Sequence, residues 1–328
     1  MNGRGGEFGF IESLAKLASG APEALGLKDD GAVLDLGDGQ TLVIAADMVQ
    51  AGVHTLADAS AAQVASKALR SNLSDLAAMG AAPAFYLSTI CWPGAPGEQD
   101  RTALIEALEA EQETFGIRLI GGDTIVGKGP LSISITVLGW AEGAVLRRAG
   151  AHTGDDVWVS SSIGDGWLGL GVAQGKITGL DSKDRAFLLN RYQYPEPRLK
   201  LGAQLAALAH CAVDVSDGLL ADAAHLARAG HCRLCLTPSA LPLSAPAQRW
   251  LAGQADQHGA REALMRGGDD YELLFTAAKK RRQQIEALGK PPGVSLTRIG
   301  SVVSGQGVAL AQEGGADRVV SDAGFTHF

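Results

Sequence analysis

Aspartates set into small, apolar surroundings constrain this chain more than any other feature. The clearest is Asp75, in ALRSNLSDLAAMGAAP at residues 68–83. Others are Asp29 and Asp30, Asp47 in IAADM, Asp123 in LIGGDT, Asp214 and Asp217 in VDVSDG, and Asp269 and Asp270 in GGDDYE. A carboxylate held at the edge of an apolar element is costly unless paired, and hard divalent cations such as Mg²⁺ are natural partners for several at once. The expected fold therefore brings the ends of distant apolar segments together at a multi-metal phosphate site. Helix capping competes with this reading, since Ser74 or Asp75 could cap LAAMGA and Ser216 or Asp217 could cap GLLADAAHLA. Recurrence of the same local pattern favours ligation.

Carboxylates repel phosphate, so in an acidic chain two or more Mg²⁺ ions must stand between the protein and a polyphosphate. Such ions clamp the phosphates and hold attacking and leaving oxygens in line. His54 follows Asp47 by seven residues, close enough to reach the same cleft. Arg148 and Lys128 are the candidate direct partners of phosphate or ribose.

The net charge of −8 argues against a nucleic-acid surface, and no basic run is longer than residues 279–282. No stretch reaches the 18 or so consecutive apolar residues of a membrane span, and MNGRGGEFGF lacks a signal-peptide core, so a cytoplasmic location is expected. Among four cysteines, Cys232 and Cys235 form a C-x-x-C pair in HCRLCL. RLCLT reads as a strand, and no second ligand pair follows at zinc spacing, so small residues packed in a sheet are expected there.

Two glycine patterns imitate phosphate loops. GDTIVGK at residues 122–128 begins like a Walker A motif, but Gly129 replaces the Mg²⁺-binding hydroxyl residue and GPLSISITVL continues as a strand. GDGWLG at residues 164–169 follows a strand and opens a helix, yet no acidic residue ends a second strand at the required distance. A tight turn packing helix on strand is expected there.

Apolar alternation places strands at residues 32–36, 41–46, 84–90, 119–121 and 131–139, with helices at 59–69 and 102–115. The pattern then restarts. Strands are expected at 156–161, 233–237, 272–276 and 296–302, and helices at 167–174, 198–209, 217–229 and 279–288. This gives an N-terminal domain at 1–147, a C-terminal domain at 148–328, and a cleft between them as the ligand site.

GEFGFIESL, DDGAVL, ADMVQAGVH, LRSNLSDLAAMGAAP, LIGGDT, RYQYPEPRLKLG, AVDVSDGL, GGDDYELLFT and GFTHF resemble, in that order, the motifs of the thiamine-monophosphate kinase family. The resemblance implies an aminoimidazole-ribonucleotide-synthetase-like fold, with an α/β N-terminal domain forming a barrel in a homodimer and an α+β C-terminal domain closing over ATP. It also implies transfer of phosphate from ATP to thiamine monophosphate, the last step of thiamine diphosphate synthesis. Carried onto this sequence, Asp30, Asp47, Asp75, Asp123, Asp214 and Asp217, with the main chain of Ala46, would bind several Mg²⁺ ions, and Asp47, Asp75, Asp123 and Asp217 would act in catalysis. Gly122, Asp123, Arg148 and Ser216 would line the nucleotide, and His54, Asp269 and Phe325 the thiamine phosphate.

The chain departs from the family pattern in three places. Ala45 and Ala46 replace hydroxyl residues, Asp269 replaces a usual Glu, and Thr55 a usual Phe. The alternatives are a sister enzyme (cyclo-ligase, selenophosphate synthetase or hydrogenase-maturation protein), a nucleotide-binding protein without turnover, and an NAD-dependent oxidoreductase.

Overall fold

The computed structural model describes residues 7–290, 294–312 and 315–320. Helix α1 (Glu7–Ala15) and two 3₁₀ turns lead into β1 (Ala32–Asp35) and β2 (Thr41–Gln50). Then follow α2 (Ala61–Ala78), β3 (Ala82–Trp92), α3 (Glu98–Phe115), β4 (Arg118–Val126) and β5 (Ser132–Ala141). The strands form one sheet in the order β1-β2-β5-β3-β4, antiparallel except for β3 and β4, which α3 joins as a parallel crossover.

Alternation in β5 gives this sheet two unlike faces. Ile133, Ile135 and Val137 are fully buried and share a core with Leu69, Leu73 and Leu76 of α2. On the other face, Met48, Leu87, Ile125 and Trp140 are exposed.

The second sheet is built from β6 (Asp156–Ser160), β7 (Cys211–Asp214), β8 (Arg233–Leu236), β9 (Leu273–Ala277), β10 (Leu296–Val303), β11 (Gly307–Leu310) and β12 (Arg318–Val319), ordered β12-β11-β8-β10-β6-β9-β7. Around it lie α4 (Asp165–Ala173), α5 (Ser182–Gln193), α6 (Leu199–Leu205), α7 (Leu219–Ala229), α8 (Ala245–Ala252), α9 (Gln257–Arg266) and α10 (Arg282–Leu288). Helix α7 turns Leu219, Leu220, Ala223, Leu226 and Ala227 inward, the i, i+3, i+4 stripe of a helix on a sheet.

Helix α2 is also the seam between the halves. A Cβ on Gly202 of α6 would lie 2.0 Å from Ala77 O, so only glycine lets the two helices approach this closely. Arg70 binds both carboxylate oxygens of Glu111 at 2.9 Å and donates to Pro195 O at 3.1 Å. Ala77, Leu146, Trp158, Leu201 and Phe275 form a shared apolar cluster.

Several sequence expectations need correction. α2 does not end near residue 69. Ser60 and Gln63 form a reciprocal capping box at its start, and the helix runs on through Ser74 and Asp75, so neither residue is a cap. The N-cap position of α7 is not Asp217 but Gly218: the helix begins at Leu219, and Gly218 N donates to Asp222 Oδ2 at 3.2 Å. α1, α5, α8 and α9 were not anticipated, nor were the short β7, β11 and β12, where an apolar run of four residues or fewer carries too little periodicity to declare itself. Among the described residues no helix is long and apolar enough to cross a membrane.

Candidate active site

Three carboxylates converge where the halves meet. Asp30 lies in the loop before β1, Asp75 near the end of α2, and Asp214 at the last position of β7. One oxygen of each lies within 4.8 Å of the others. Ser74 Oγ donates to Asp214 Oδ2 at 2.6 Å, tying α2 to β7. Asp47, whose charge acts on Asp75, is anchored nearby by Asn72, which accepts Asp47 N at 2.8 Å while its amide donates to Ala68 O.

The electrostatics follow from this crowding. Burial pushes Asp214 up to about 7, with the charge of Asp30 adding to it. Asp75 is driven well above the usual carboxylate range by burial and by the charges of Asp47, Asp214 and Asp30. Burial also raises Asp30, although the Arg148 guanidinium opposes the shift. Like charges held together this way bind either protons or a cation. An all-oxygen donor set of this kind fits a hard divalent ion such as Mg²⁺.

A second group adjoins the first. Asp217, Asp222 and His225 also bring donor atoms within 4.8 Å of one another. Burial raises Asp222 strongly, with Asp217 and Asp214 adding to the shift, whereas burial and Arg148 lower His225 to about 4. Asp222 and His225 lie one turn apart on α7, and sequence reading passed over both. Their i, i+3 spacing beside the SDG turn was the available signal.

Arg148 is committed to the protein. Its Nε donates to Asp30 Oδ1 at 2.9 Å and its Nη2 also reaches that oxygen, while Arg147 Nε binds Asp29 Oδ2 at 2.7 Å. The Asp29-Asp30 and Arg147-Arg148 pairs thus lock the first loop to the start of the C-terminal half. Ser216 also uses its main chain within the protein, accepting Asp269 N at 2.9 Å.

At the other end of the site, Lys67 Nζ is fully buried, 2.8 Å from Asp269 Oδ1 and 4.0 Å from the centroid of the Tyr192 ring. Tyr192 OH donates to His54 O at 3.4 Å, and His54 Nδ1 accepts Gln50 N at 3.1 Å. The structure therefore links His54 to Tyr192 directly and Asp269 to it through Lys67. Asp269 and Tyr271 have left-handed backbones, with φ of 69° and 52°, which turns the GGDDYE segment sharply into the cleft. Phe325 lies outside the described residues.

The structure does not bring Gly122 and Asp123 to this cluster within one chain. Asp123 shares a cross-strand row with Thr89, Ser134 and Met48, on the face away from α2, whereas Asp47 shares its row with buried Ile135. Ala46 likewise lies in a row of the open face, beside Thr136. At Gly122 a Cβ would lie 1.9 Å from Ser88 O, so close strand packing accounts for that glycine.

The imitation phosphate loops resolve as expected from their surroundings. GDTIV is strand β4, and β5 rather than a helix follows it. In GDGWLG, Gly164 N and Gly166 N donate to the two Asp270 carboxyl oxygens at 2.7 and 2.9 Å, so the helix start is already filled by an acceptor of the protein itself. Cys232 and Cys235 are free thiols at and beside β8.

Comparison with known proteins agrees with this layout. Residues 28–141 match the family described as AIR synthase related protein, N-terminal domain, and residues 152–312 match its C-terminal domain. A thiamine-monophosphate kinase of Caulobacter vibrioides is 42% identical over 98% of this chain and 90% of its own length. The solved structure described as AaThiL complexed with AMPPCP and TMP superposes with a TM-score of 0.85 at 28% identity, covering 98% of this chain and 97% of that one. The thiamine-monophosphate kinase structure from Stenotrophomonas maltophilia K279a gives a TM-score of 0.77 at 39% identity, covering 91% and 94%. With near-full-length identity of this order and both domains matched, the chain belongs to the thiamine-monophosphate kinase family.

Proposed function

We propose that this protein transfers the γ-phosphoryl group of ATP to thiamine monophosphate, giving thiamine diphosphate and ADP. The observation that carries this reading is the convergence of Asp30, Asp75 and Asp214 at the domain seam of a chain from this family. Asp47 and Asp217 complete the donor set, and the main chain of Ala46 stands in for the missing hydroxyl residue. Bound there, Mg²⁺ would shield the phosphates from the carboxylates and from each other.

The protein's own groups position and exclude. The acceptor oxygen is already anionic near neutral pH, so no strong general base is needed and transfer is direct and in line. Asp269 and His54 face the thiamine phosphate beside Tyr192, with Lys67 fixing the Asp269 carboxylate. Phe325 belongs to the same contact set by resemblance. Ser216 and Arg148 border the nucleotide, Arg148 by holding Asp30. The division into domains at 147 and 148 falls between the two family matches.

Asp123 and Gly122 enter this scheme through a second copy of the chain. The open sheet face carries Asp123 beside exposed Met48, Leu87 and Ile125, and a soluble protein covers such a patch. A homodimer meeting on this face is the reading we adopt, and Ile125→Asp is expected to convert two-chain particles to single chains in light scattering. Single chains in the unaltered protein would refute it.

The kinase itself is tested by ADP release with thiamine monophosphate, thiamine or no acceptor, each with and without Mg²⁺. Turnover with the monophosphate and Mg²⁺ alone is the expected result. ATP binding without turnover would instead make the chain a nucleotide-binding protein that has lost its chemistry.

A further inference from the structure

Away from the carboxylate site, His152, Asp155 and His210 bring three donor atoms together at the far end of the second sheet. His152 and Asp155 flank the turn that enters β6, and His210 immediately precedes β7. Asp214 closes β7 at its other end, four residues on, so the two groups stand roughly 13 Å apart along the strand.

The three atoms face one another. His152 Nδ1 and His210 Nδ1 are 3.2 Å apart, His210 Nδ1 is 2.8 Å from Asp155 Oδ2, and His152 Nδ1 is 3.9 Å from the same oxygen. A triangle with these sides has a circumscribed radius of about 2.0 Å, the bond length of Zn²⁺ to imidazole nitrogen or carboxylate oxygen. A point in the plane of the three atoms therefore lies at bonding distance from each, and a tetrahedral ion, whose donors stand about 3.3 Å apart, asks for shifts of about half an ångström that the exposed His152 ring can make.

Hydrogen bonding alone serves this arrangement poorly. An imidazole Nδ1 offers one in-plane position, either a proton or a lone pair. On His210 that single position faces both an obligate acceptor, Asp155, and a second ring nitrogen. One cation at the centre satisfies all three donors together.

The backbone holds the donors rigidly. Asp155 is buried, and its Oδ2 also accepts His152 N at 2.9 Å and Thr276 Oγ1 at 3.4 Å. His210 N is anchored to Thr276 O at 2.8 Å. The rings of His152 and His210 stand edge to face, with centroids 4.7 Å apart. His152 is largely exposed, which leaves an approach for the ion and a fourth position for water.

We propose that His152, His210 and Asp155 form a second metal site, selective for a borderline divalent cation such as Zn²⁺ over Mg²⁺, that staples the entry of β6 to the entry of β7. Two nitrogen donors set this preference, since Mg²⁺ favours oxygen. The site is independent of the kinase reading, because none of its residues belongs to the carboxylate cluster.

The test is Zn²⁺ titration against a chromophoric chelator, in excess Mg²⁺ to fill the carboxylate sites, for the unaltered protein, His152→Ala and His210→Ala. The unaltered protein is expected to take up one additional Zn²⁺ per chain, and each variant to bind it about a hundredfold or more weakly. Zn²⁺ should raise the thermal midpoint of the unaltered protein only, and Co²⁺ in its place should give visible absorption bands that both variants lack. Binding unchanged in both variants would place the zinc elsewhere, at Asp217, Asp222 and His225 for example, and would overturn the proposal. So would the absence of binding at micromolar Zn²⁺.

Discussion

Asp75→Asn is expected to make the protein more stable and nearly inactive. The expected loss in kcat is at least about 10²–10³-fold, the scale on which removing one electrostatic contact to a transition state is felt. Without divalent cation, its unfolding midpoint near pH 8 should rise by roughly 1.5–3 °C, about 1–2 kcal/mol for a chain of this size. Both effects have one cause: Asp75 sits among Asp47, Asp214 and Asp30, whose charges it must oppose. Asparagine keeps the shape and removes the charge.

The pH dependence fixes the sign. A carboxyl group whose folded pKa is raised binds its proton more tightly in the folded state than in the unfolded one. Its contribution to stability is full below the unfolded value near 4 and disappears as pH rises through the folded value. For Asp214 that window runs from about 4 to about 7. Metal-free protein should therefore lose stability as pH is raised from about 5 to about 8, and Mg²⁺ should restore it by replacing the lost protons. The asparagine variant should show a flatter profile and a smaller response to Mg²⁺. A lower midpoint for Asp75→Asn at pH 8, or turnover near that of the unaltered protein, would remove the carboxylate cluster from the mechanism.

What could be read in the sequence, and what could not, divides along physical lines. Asp75 and Asp214 were legible because each stands alone among apolar or small residues, where a charge needs a reason, and Asp30 because the Asp29-Asp30 pair leads directly into the apolar run GAVL. Ser74 was legible only as a possible cap. Its actual partner, Asp214, lies 140 residues away, and local spacing holds no information about such a contact. Lys67 drew no reading from the sequence, yet it is fully buried against Asp269 and Tyr192. Asp123 shows what the sequence leaves open. Its GGDT motif is conspicuous, but strand parity places it on the face away from Asp47, and parity depends on register with β3 and β5.

The same limit hid the group that shapes the GGDDYE turn, and it leads to the second large expected effect. Glu272→Ala should destabilise the protein by about 3–5 kcal/mol, the usual result of leaving buried charge without its partner. Glu272 is fully buried. Its carboxylate accepts Arg191 Nη2 at 2.6 Å, Arg198 Nε and Nη2 at 2.7 and 2.6 Å, and Ser160 Oγ at 2.6 Å. Two guanidinium groups from α5 and the start of α6 thus converge on one carboxylate at the start of β9. Arg191 also donates to Asp270 O at 3.3 Å, and Ser160 Oγ accepts Leu273 N, so the network fixes the main chain on both sides of Glu272. Glu272→Gln should fall between the parent and the alanine variant, because it keeps the shape and loses the charge. Replacing Glu272, Arg191 and Arg198 together with methionine should recover most of the lost stability, since the penalty comes from unpaired charge and not from missing bulk. That triple variant should nevertheless turn over poorly, because the Arg191 bond to Asp270 O is lost and Asp269 is then held facing Lys67 with one restraint fewer on its left-handed turn. Urea unfolding of the three variants separates the possibilities. A triple variant no more stable than Glu272→Ala would mean that packing, not charge pairing, accounts for the loss.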